Sequence, residues 1–187
     1  MFIVLEGLDG VGKSTLAHGL AHALGATLMS TPGSEFAALR GGILNTLHED
    51  QLGKALFYAA TVSFQGRKAV EMVTRGGTVV MDRYWASTVA YARARGVTAD
   101  LDALAPDIAQ PDITVLITLD EPQRVARLTG RGATEEDIET LCPAFKASVL
   151  RDLMARCTVS VDITGLTEQE AIAKVAGVIT AISNVHD

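Results

Sequence analysis

Nine consecutive residues near the start of the chain have the composition of a phosphate-binding loop. Eight of them fit the pattern G-x-x-x-x-G-K-[ST] and a threonine follows, which gives Gly7, Leu8, Asp9, Gly10, Val11, Gly12, Lys13, Ser14 and Thr15. Glycines let the backbone curl until successive N–H groups point at phosphate oxygens. Lys13 would reach the β- and γ-phosphates of ATP, and the Ser14 hydroxyl would bind Mg²⁺. The loop therefore predicts a site for ATP and Mg²⁺.

A second pair of chemically active residues, Asp82 and Arg83, follows the apolar run at 79–81. Asp82 could assist in binding Mg²⁺. Arg83 could hold an anionic acceptor, because its planar guanidinium meets a phosphate group in two parallel hydrogen bonds. A buried Asp–Arg pair with a purely structural role is the alternative.

Both motifs lie at the ends of predicted strands. Short β-branched runs alternate with longer helical patterns, and the strands are predicted at 2–6, 27–30, 78–82, 113–119 and 159–163. Helices are predicted at 13–24, 34–47, 52–75, 84–95, 101–109, within 122–156 on both sides of a polar loop, and at 167–182. This alternation predicts a three-layer α/β/α fold around a five-stranded parallel sheet. Ligands of such sheets bind at the carboxyl ends of the strands.

Composition and charge narrow the class of protein. The 187 residues are 48% hydrophobic, so we expect one domain over 1–187. The net charge of −6 argues against nucleic acid or an anionic membrane as partner. The apolar run at the N-terminus is too short for a signal peptide or a membrane span. Cys142 and Cys157 fit neither a CxxC motif nor a disulfide framework, so we expect buried free thiols in the cytoplasm.

Three segments resemble the bacterial thymidylate kinases, which are P-loop nucleoside monophosphate kinases. The segments are 2–15, 82–91 (DRYWASTVAY) and 111–114 (PDIT), and the similarity in order and spacing extends over essentially the whole chain. The segment 82–91 is the most family-specific, since the phosphate loop alone matches many NTPases. The resemblance implies transfer of the γ-phosphoryl group of ATP to a deoxynucleoside monophosphate with Mg²⁺.

The resemblance also implies roles for residues of an acceptor pocket. Asp9 would contact the sugar and phosphate of the acceptor, and Arg83 would bind its phosphate. Ser87 and Tyr91 fall at pocket positions, where Tyr91 would crowd out a ribose 2′-hydroxyl. Phe57 would stack on the acceptor base, although an aromatic residue on a long helix can equally belong to the core.

Charge on the transferring group should be neutralised by a lid. Phosphoryl transfer depends on alignment and charge neutralisation rather than on a protein nucleophile. The phosphate loop of this chain has no arginine, but Arg124, Arg127 and Arg131 share one face of a predicted helix. A solvated basic stripe is the alternative. The resemblance favours Arg127 and Arg131 as catalytic residues that close over the phosphoryl group from a short lid at about 129–138.

The acceptor pocket departs from the family pattern at two arginine positions. Ser30 replaces the arginine of a usual Arg-Glu-Pro-Gly sequence. Thr61, which we keep as a substrate-binding candidate, replaces the arginine that hydrogen-bonds the thymine edge. Loss of a bidentate base contact costs a few kcal/mol, enough to erase a preference for one base. Three other arginines could compensate, namely Arg67, Arg93 and Arg95.

The best single expectation is therefore a kinase that converts dTMP and ATP to dTDP and ADP. A kinase for another nucleotide or phosphorylated metabolite is one alternative. The other is a regulatory or catalytically silent nucleotide-binding protein, although the chain has no Asn/Thr-Lys-x-Asp guanine signature. Relatives are often homodimers through helices like the one at 52–75, so a homodimer is also considered.

Overall fold

The computed structural model describes residues 1–132 and 134–186, in which helices and strands alternate. The strands are β1 (Phe2–Glu6), β2 (Thr27–Ser30), β3 (Val79–Asp82), β4 (Ile113–Thr118) and β5 (Val159–Asp162). The α-helices are α1 (Lys13–Leu24), α2 (Ser34–Leu47), α3 (Gln51–Thr74), α4 (Trp85–Ala94), α5 (Glu121–Arg131), α6 (Glu135–Glu139), α7 (Pro143–Arg156) and α8 (Glu168–His186). A 3₁₀ helix, Leu101–Asp107, precedes β4.

Within the described residues, five parallel strands form one sheet in the order β2-β3-β1-β4-β5. The central strand β1 pairs with β3 so that Leu5 lies opposite Asp82. The phosphate loop, which follows β1, therefore lies beside the Asp82-Arg83 pair that ends β3. The three-layer α/β fold with five parallel strands is confirmed.

The alternating side chains of the strands contribute to two apolar cores. Ile3 and Leu5 of β1 pack with α1, α7 and α8, whereas Phe2 and Val4 pack with α3 and part of α4. All four side chains are at most 2% exposed. A strand covered on both faces is apolar at consecutive positions, which explains the continuous run at the start of the sequence.

Helix ends follow local chemistry. α1 ends at Gly25, whose φ of 60° is favourable for glycine and whose N–H bonds the carbonyls of Ala21 and His22. The segment predicted as a helix at 101–109 is a short 3₁₀ helix that contains Pro106, and proline cannot donate a backbone hydrogen bond.

Two further segments differ from the prediction. The polar loop predicted after α5 contains the short helix α6, which begins with a capping box between Thr134 and Asp137. α8 continues to His186, beyond the predicted end at 182. None of the helices in residues 1–132 and 134–186 is both long and apolar enough to cross a membrane.

Candidate active site

The phosphate loop is held tightly between β1 and α5. Gly10 has a φ of 86°, and a Cβ atom there would lie 2.7 Å from Leu128 Cγ of α5. Gly12 has a φ of 93°, and a Cβ atom there would lie 2.8 Å from Arg127 Nη1. The positive φ favours glycine at both positions, and at Gly10 there is in addition no room for a Cβ atom. Because Gly12 caps α1 without a side chain, the first-turn amides of α1 remain available to an anion.

Lys13 lies buried beneath this loop. The residue is 5% exposed, and its Nζ donates to the Leu8 carbonyl oxygen at 2.7 Å. Burial and the nearby charge of Arg83 lower the pKa of Lys13 to about 8, although the carboxylates of Asp9, Asp82 and Glu6 oppose this shift. A bound phosphate group would therefore strongly stabilise the charged form of this ammonium group.

A candidate magnesium site joins the loop to the end of β3. Ser14 Oγ donates to Asp82 Oδ2 at 2.5 Å. Asp82 Oδ1 is buried and has no hydrogen-bond partner among the described residues. An oxygen pair with an unsatisfied carboxylate atom fits Mg²⁺, which binds one or two protein oxygens together with phosphate oxygens and water. Among the described side chains there is no cluster of three or more His, Cys, Asp or Glu residues that could hold a metal ion.

Arg83 stands at the centre of a polar network on the other side of the loop. Its Nη2 donates to Asp9 Oδ1, and its Nη1 donates to Ser87 Oγ at 3.0 Å. Tyr91 Oη donates to the second oxygen of Asp9 at 2.8 Å. The backbone of Arg83 has a φ of 65°, which is costly for a residue with a side chain and is often found at functional sites.

The network fixes the ionisation of its members. Burial opposes ionisation of Asp9, but the charges of Arg83 and Lys13 outweigh it, so the pKa of Asp9 falls to about 2. Burial would lower the pKa of Arg83, but Tyr91, Asp9 and other acidic groups raise it. Burial also raises the pKa of Tyr91, which therefore stays protonated and remains a donor.

Glu6 supports this network from beneath. The residue is fully buried and its carboxylate accepts hydrogen bonds from the backbone N–H groups of Tyr84 and Ser87, at 2.9 and 3.1 Å, and from the Ser87 hydroxyl. Burial raises the pKa of Glu6, although its bonds to Ser87 and the charge of Arg83 oppose this. Glu6 thereby anchors the start of α4 beside Arg83.

A cavity of about 300 Å³ opens next to Arg83. Four predicted site residues line it together, namely Asp9, Arg83, Ser87 and Tyr91. The remaining wall contains side chains that the sequence did not single out, including Arg40, Lys54, Tyr58 and Glu136. Arg95, which the sequence offered as a substitute for a missing arginine, also lines the cavity.

Phe57 and Thr61 are not among the residues that line this cavity. Phe57 packs against the rings of Phe36 and Tyr58, with centroids 6.4 and 5.4 Å away. Thr61 is fully buried and its hydroxyl donates to the Tyr58 carbonyl oxygen at 2.8 Å. The face of α3 that lines the cavity comprises Gln51, Lys54, Ala55 and Tyr58. Direct contacts of Phe57 and Thr61 with an acceptor do not follow from this arrangement.

The arginines of α5 have three different environments. Arg127 Nη1 donates to the Val11 carbonyl oxygen at 2.8 Å, beside the phosphate loop. Arg131 is more than half exposed and pairs with Asp137. Arg124, in contrast, is 1% exposed and donates to the Asp9 carbonyl oxygen and to Thr140. It connects the loop to the segment after α6 rather than forming an exposed basic stripe. Ala133, within the predicted lid at 129–138, lies outside the described residues.

Sequence reasoning missed Glu6, Arg40 and the structural role of Arg124. The signal at Glu6 is a carboxylate at the end of an otherwise apolar buried strand. Arg40 and Arg124 carry no comparable signal, because a single arginine on a helix is usually solvated.

The five-stranded parallel sheet, with a glycine-rich loop between β1 and α1, has the architecture of a P-loop kinase. A family model for thymidylate kinase matches residues 5–159. The chain belongs to the thymidylate kinase family.

Individual relatives agree with this assignment. A thymidylate kinase of Xanthomonas campestris pv. campestris is 32% identical over 157 residues, which cover 75% of this chain and 65% of that protein. A probable thymidylate kinase of Pyrobaculum calidifontis is 31% identical over 155 residues, which cover 75% of this chain and 77% of the relative. The match to the Xanthomonas protein thus spans slightly less than two thirds of its length.

Solved structures share the fold. Thymidylate kinase from Candida albicans superposes with a TM-score of 0.77 at 22% identity, covering 97% of this chain and 92% of its own. Thymidylate kinase from Ehrlichia chaffeensis superposes with a TM-score of 0.69 at 22% identity, covering 96% of this chain and 98% of its own.

Proposed function

We propose that the chain transfers the γ-phosphoryl group of ATP to a deoxynucleoside monophosphate, with dTMP as the best single acceptor. The observation that carries the proposal is the position of Asp9. This residue belongs to the phosphate loop and also lines the acceptor cavity, where it pairs with Arg83. A donor site that is continuous with an anion-binding cavity suits transfer between two substrates.

The donor end would be formed by the loop amides and Lys13. These groups neutralise the β- and γ-phosphates, and Ser14 with Asp82 would hold Mg²⁺. Bound there, Mg²⁺ would offset the negative charge that the phosphates carry into the transition state. Arg127 lies close enough to the loop to approach the transferring group, and Arg131 would join it from the lid.

The acceptor end would be formed by Arg83, Asp9, Ser87 and Tyr91. Arg83 would bind the acceptor phosphate, whose oxygen attacks the γ-phosphorus while the bond to the β-phosphate oxygen breaks and ADP leaves. Tyr91 lies against Asp9 and would leave too little room for a ribose 2′-hydroxyl. In this account the protein aligns the two phosphates and supplies no nucleophile of its own.

The second candidate function is phosphoryl transfer to a nucleotide other than dTMP. Ser30 stands where the family pattern has an arginine for the acceptor phosphate, and Thr61 stands where it has an arginine for the thymine edge, so an acceptor other than dTMP is the alternative. A coupled assay of ADP release over the common nucleoside and deoxynucleoside monophosphates decides between them. The proposal predicts ADP release that depends on a monophosphate and is fastest with dTMP. Release that is equal with and without every monophosphate would exclude phosphoryl transfer to a nucleotide.

We also propose the domain extent, location and oligomeric state of the enzyme. Residues 1–187 would form one kinase domain with a lid at about 129–138. Its two cysteines are free, which suits a reducing cytoplasm, although Cys142 is exposed and not buried as expected. Leu52, Leu56 and Val70 of α3 are exposed, which supports a homodimer through that helix. Analytical ultracentrifugation of the wild type and of Leu56→Glu tests this, since a monomeric wild type would exclude it.

A further inference from the structure

Two arginines of the acceptor cavity are held in the same way by the short helix α6. Building on the proposed function, we propose that Arg40 and Arg95 bind the acceptor nucleotide in place of the family arginines missing at Ser30 and Thr61, and that Glu136 and Glu139 orient them.

Arg40 reaches the cavity from α2. Its Nε donates to Tyr58 Oη at 3.2 Å, and its Nη2 donates to both oxygens of Glu136 at 2.9 and 2.8 Å. Among the side chains that the structure describes, Arg40 Nη1 has no hydrogen-bond partner. The guanidinium plane is therefore fixed by two protein groups while one terminal nitrogen remains for a ligand.

Arg95 shows the same arrangement at the end of α4. Its Nε and Nη2 donate to Glu139, the latter at 2.6 Å, and in the described part of the chain its Nη1 also lacks a partner. Its Cζ lies 5.6 Å from the centroid of the Tyr91 ring, and Arg83 Cζ lies 5.3 Å from the same ring. Arg95 and Arg83 thus contact the same tyrosine ring and line the same cavity.

The charge of the cavity wall suits an anionic ligand. Its charged lining comprises four basic side chains, Arg40, Lys54, Arg83 and Arg95, and two carboxylates, Asp9 and Glu136. The lining has a formal excess of two positive charges, which falls to one when Glu139, the partner of Arg95, is included. A net positive wall favours an anion such as a monophosphate, which carries nearly two negative charges at neutral pH. Guanidinium groups only donate, so they pair with phosphate oxygens or with the carbonyl oxygens of a base.

The other two arginines suggested by the sequence lie elsewhere. Arg93 pairs with Asp102 and Asp152, and Arg67 lies over the Phe64 ring at 6.0 Å. Neither lines the cavity. They provide matched controls, because each is an arginine on the same helix as a residue of the cavity wall.

The rival explanation is that Arg40 and Arg95 only fasten α6 to the body of the protein. If so, removal of either partner of an ion pair would have the same effect. If the arginines bind the acceptor, their loss would weaken acceptor binding more than loss of the glutamate charge, which removes only the orientation.

The test is calorimetric titration of dTMP, and separately of Mg·ATP, into the wild type and single variants of the full chain. Arg40→Ala and Arg95→Ala should each raise the dissociation constant of dTMP at least about tenfold, the loss typical of a charge-assisted hydrogen bond. Glu136→Gln and Glu139→Gln should raise it by about three- to fivefold. Arg67→Ala and Arg93→Ala should stay within about twofold, and Mg·ATP binding should stay within about twofold throughout.

Controls keep the outcome interpretable. Thermal unfolding checks each variant, and Arg40→Lys and Arg95→Lys, which keep the charge but lose the planar fork, replace any alanine variant that does not fold. Unchanged dTMP binding in both arginine variants, or equal losses in Arg40→Ala and Glu136→Gln, would overturn the inference. If the wild type phosphorylates dTMP and the arginine variants bind dTMP as tightly as the wild type does, only this inference is rejected. A wild type that neither binds nor phosphorylates any nucleoside monophosphate rejects the proposed function.

Discussion

Arg83 at the end of β3 pairs with Asp9 of the phosphate loop, 74 residues earlier in the chain. Tyr91 binds the other oxygen of Asp9, so the carboxylate is held from two sides. The guanidinium is thereby oriented by the protein itself, which would reduce the entropy lost when the proposed acceptor binds. Because the pKa of Asp9 is about 2, this ion pair persists throughout the neutral pH range.

Arg83→Ala should lower the catalytic efficiency with the acceptor and leave ATP binding nearly unchanged. Loss of a charge-assisted contact to phosphate should lower kcat/KM for the acceptor by about 30- to 300-fold, with a higher acceptor KM and a lower kcat. The dissociation constant of Mg·ATP should change less than about threefold. Steady-state kinetics with each substrate varied measures both effects, and Arg93→Ala serves as the control. Unchanged acceptor kinetics would remove Arg83 from the site.

Ser14→Ala should increase the requirement for Mg²⁺. Ser14 Oγ and Asp82 are the protein oxygens at the candidate magnesium site, so either Ser14→Ala or Asp82→Asn removes a ligand. The half-saturating Mg²⁺ concentration at fixed ATP should rise about tenfold or more in each variant. Ser160→Ala, on the exposed side of β5, should match the wild type. Magnesium titrations that coincide for all four proteins would place the metal elsewhere.

ATP affinity should depend on pH through Lys13. The pKa of Lys13 is lowered to about 8, mainly by burial, and phosphate binding favours the charged ammonium. The dissociation constant of Mg·ATP should be constant below pH 8 and should rise about tenfold per pH unit above it, until the pKa of the bound form is reached. Lys13→Arg, whose guanidinium stays charged, should give a flat profile. An equally flat wild-type profile up to about pH 9.5 would contradict this.

The sheet and the phosphate loop were predictable because they depend on local signals. Glycines followed by lysine and serine specify a loop whose geometry needs few distant contacts. Runs of β-branched residues separated by helical patterns identified all five strands to within one residue at each end. The Asp82-Arg83 pair was located at the correct strand end, and the parallel sheet then places it beside the loop.

The wall of the cavity beside Arg83, proposed to bind the acceptor, was not predictable in the same way. Whether Phe57 or Tyr58 faces the cavity depends on the rotation of α3 against its neighbours, and adjacent residues on a helix point about 100° apart. The pairing of Arg40 with Glu136 joins residues 96 apart in sequence. Helical periodicity gives the polar face of α2 and α6 but not which faces meet.

Glu6→Ala should destabilise the protein. The substitution removes a buried acceptor and leaves the N–H groups of Tyr84 and Ser87 without their partner. The free energy of unfolding should fall by about 3 kcal/mol, and Glu6→Gln should cost about 1 kcal/mol because it keeps one acceptor oxygen. Urea denaturation with an unchanged m-value measures both. The exposed Glu71→Ala should stay within about 0.5 kcal/mol, and a similarly small loss for Glu6→Ala would show that α4 needs no such anchor.

The most direct measurement is a single turnover with excess protein, Mg·ATP labelled in the γ-phosphoryl group, and dTMP. We expect the label in dTDP, one for each ADP formed, and a rate at least about a hundredfold lower for Lys13→Ala, which lacks the buried cation of the loop. Label that appears only as inorganic phosphate, or ADP that forms equally fast with no nucleoside monophosphate present, would contradict phosphoryl transfer between the two sites.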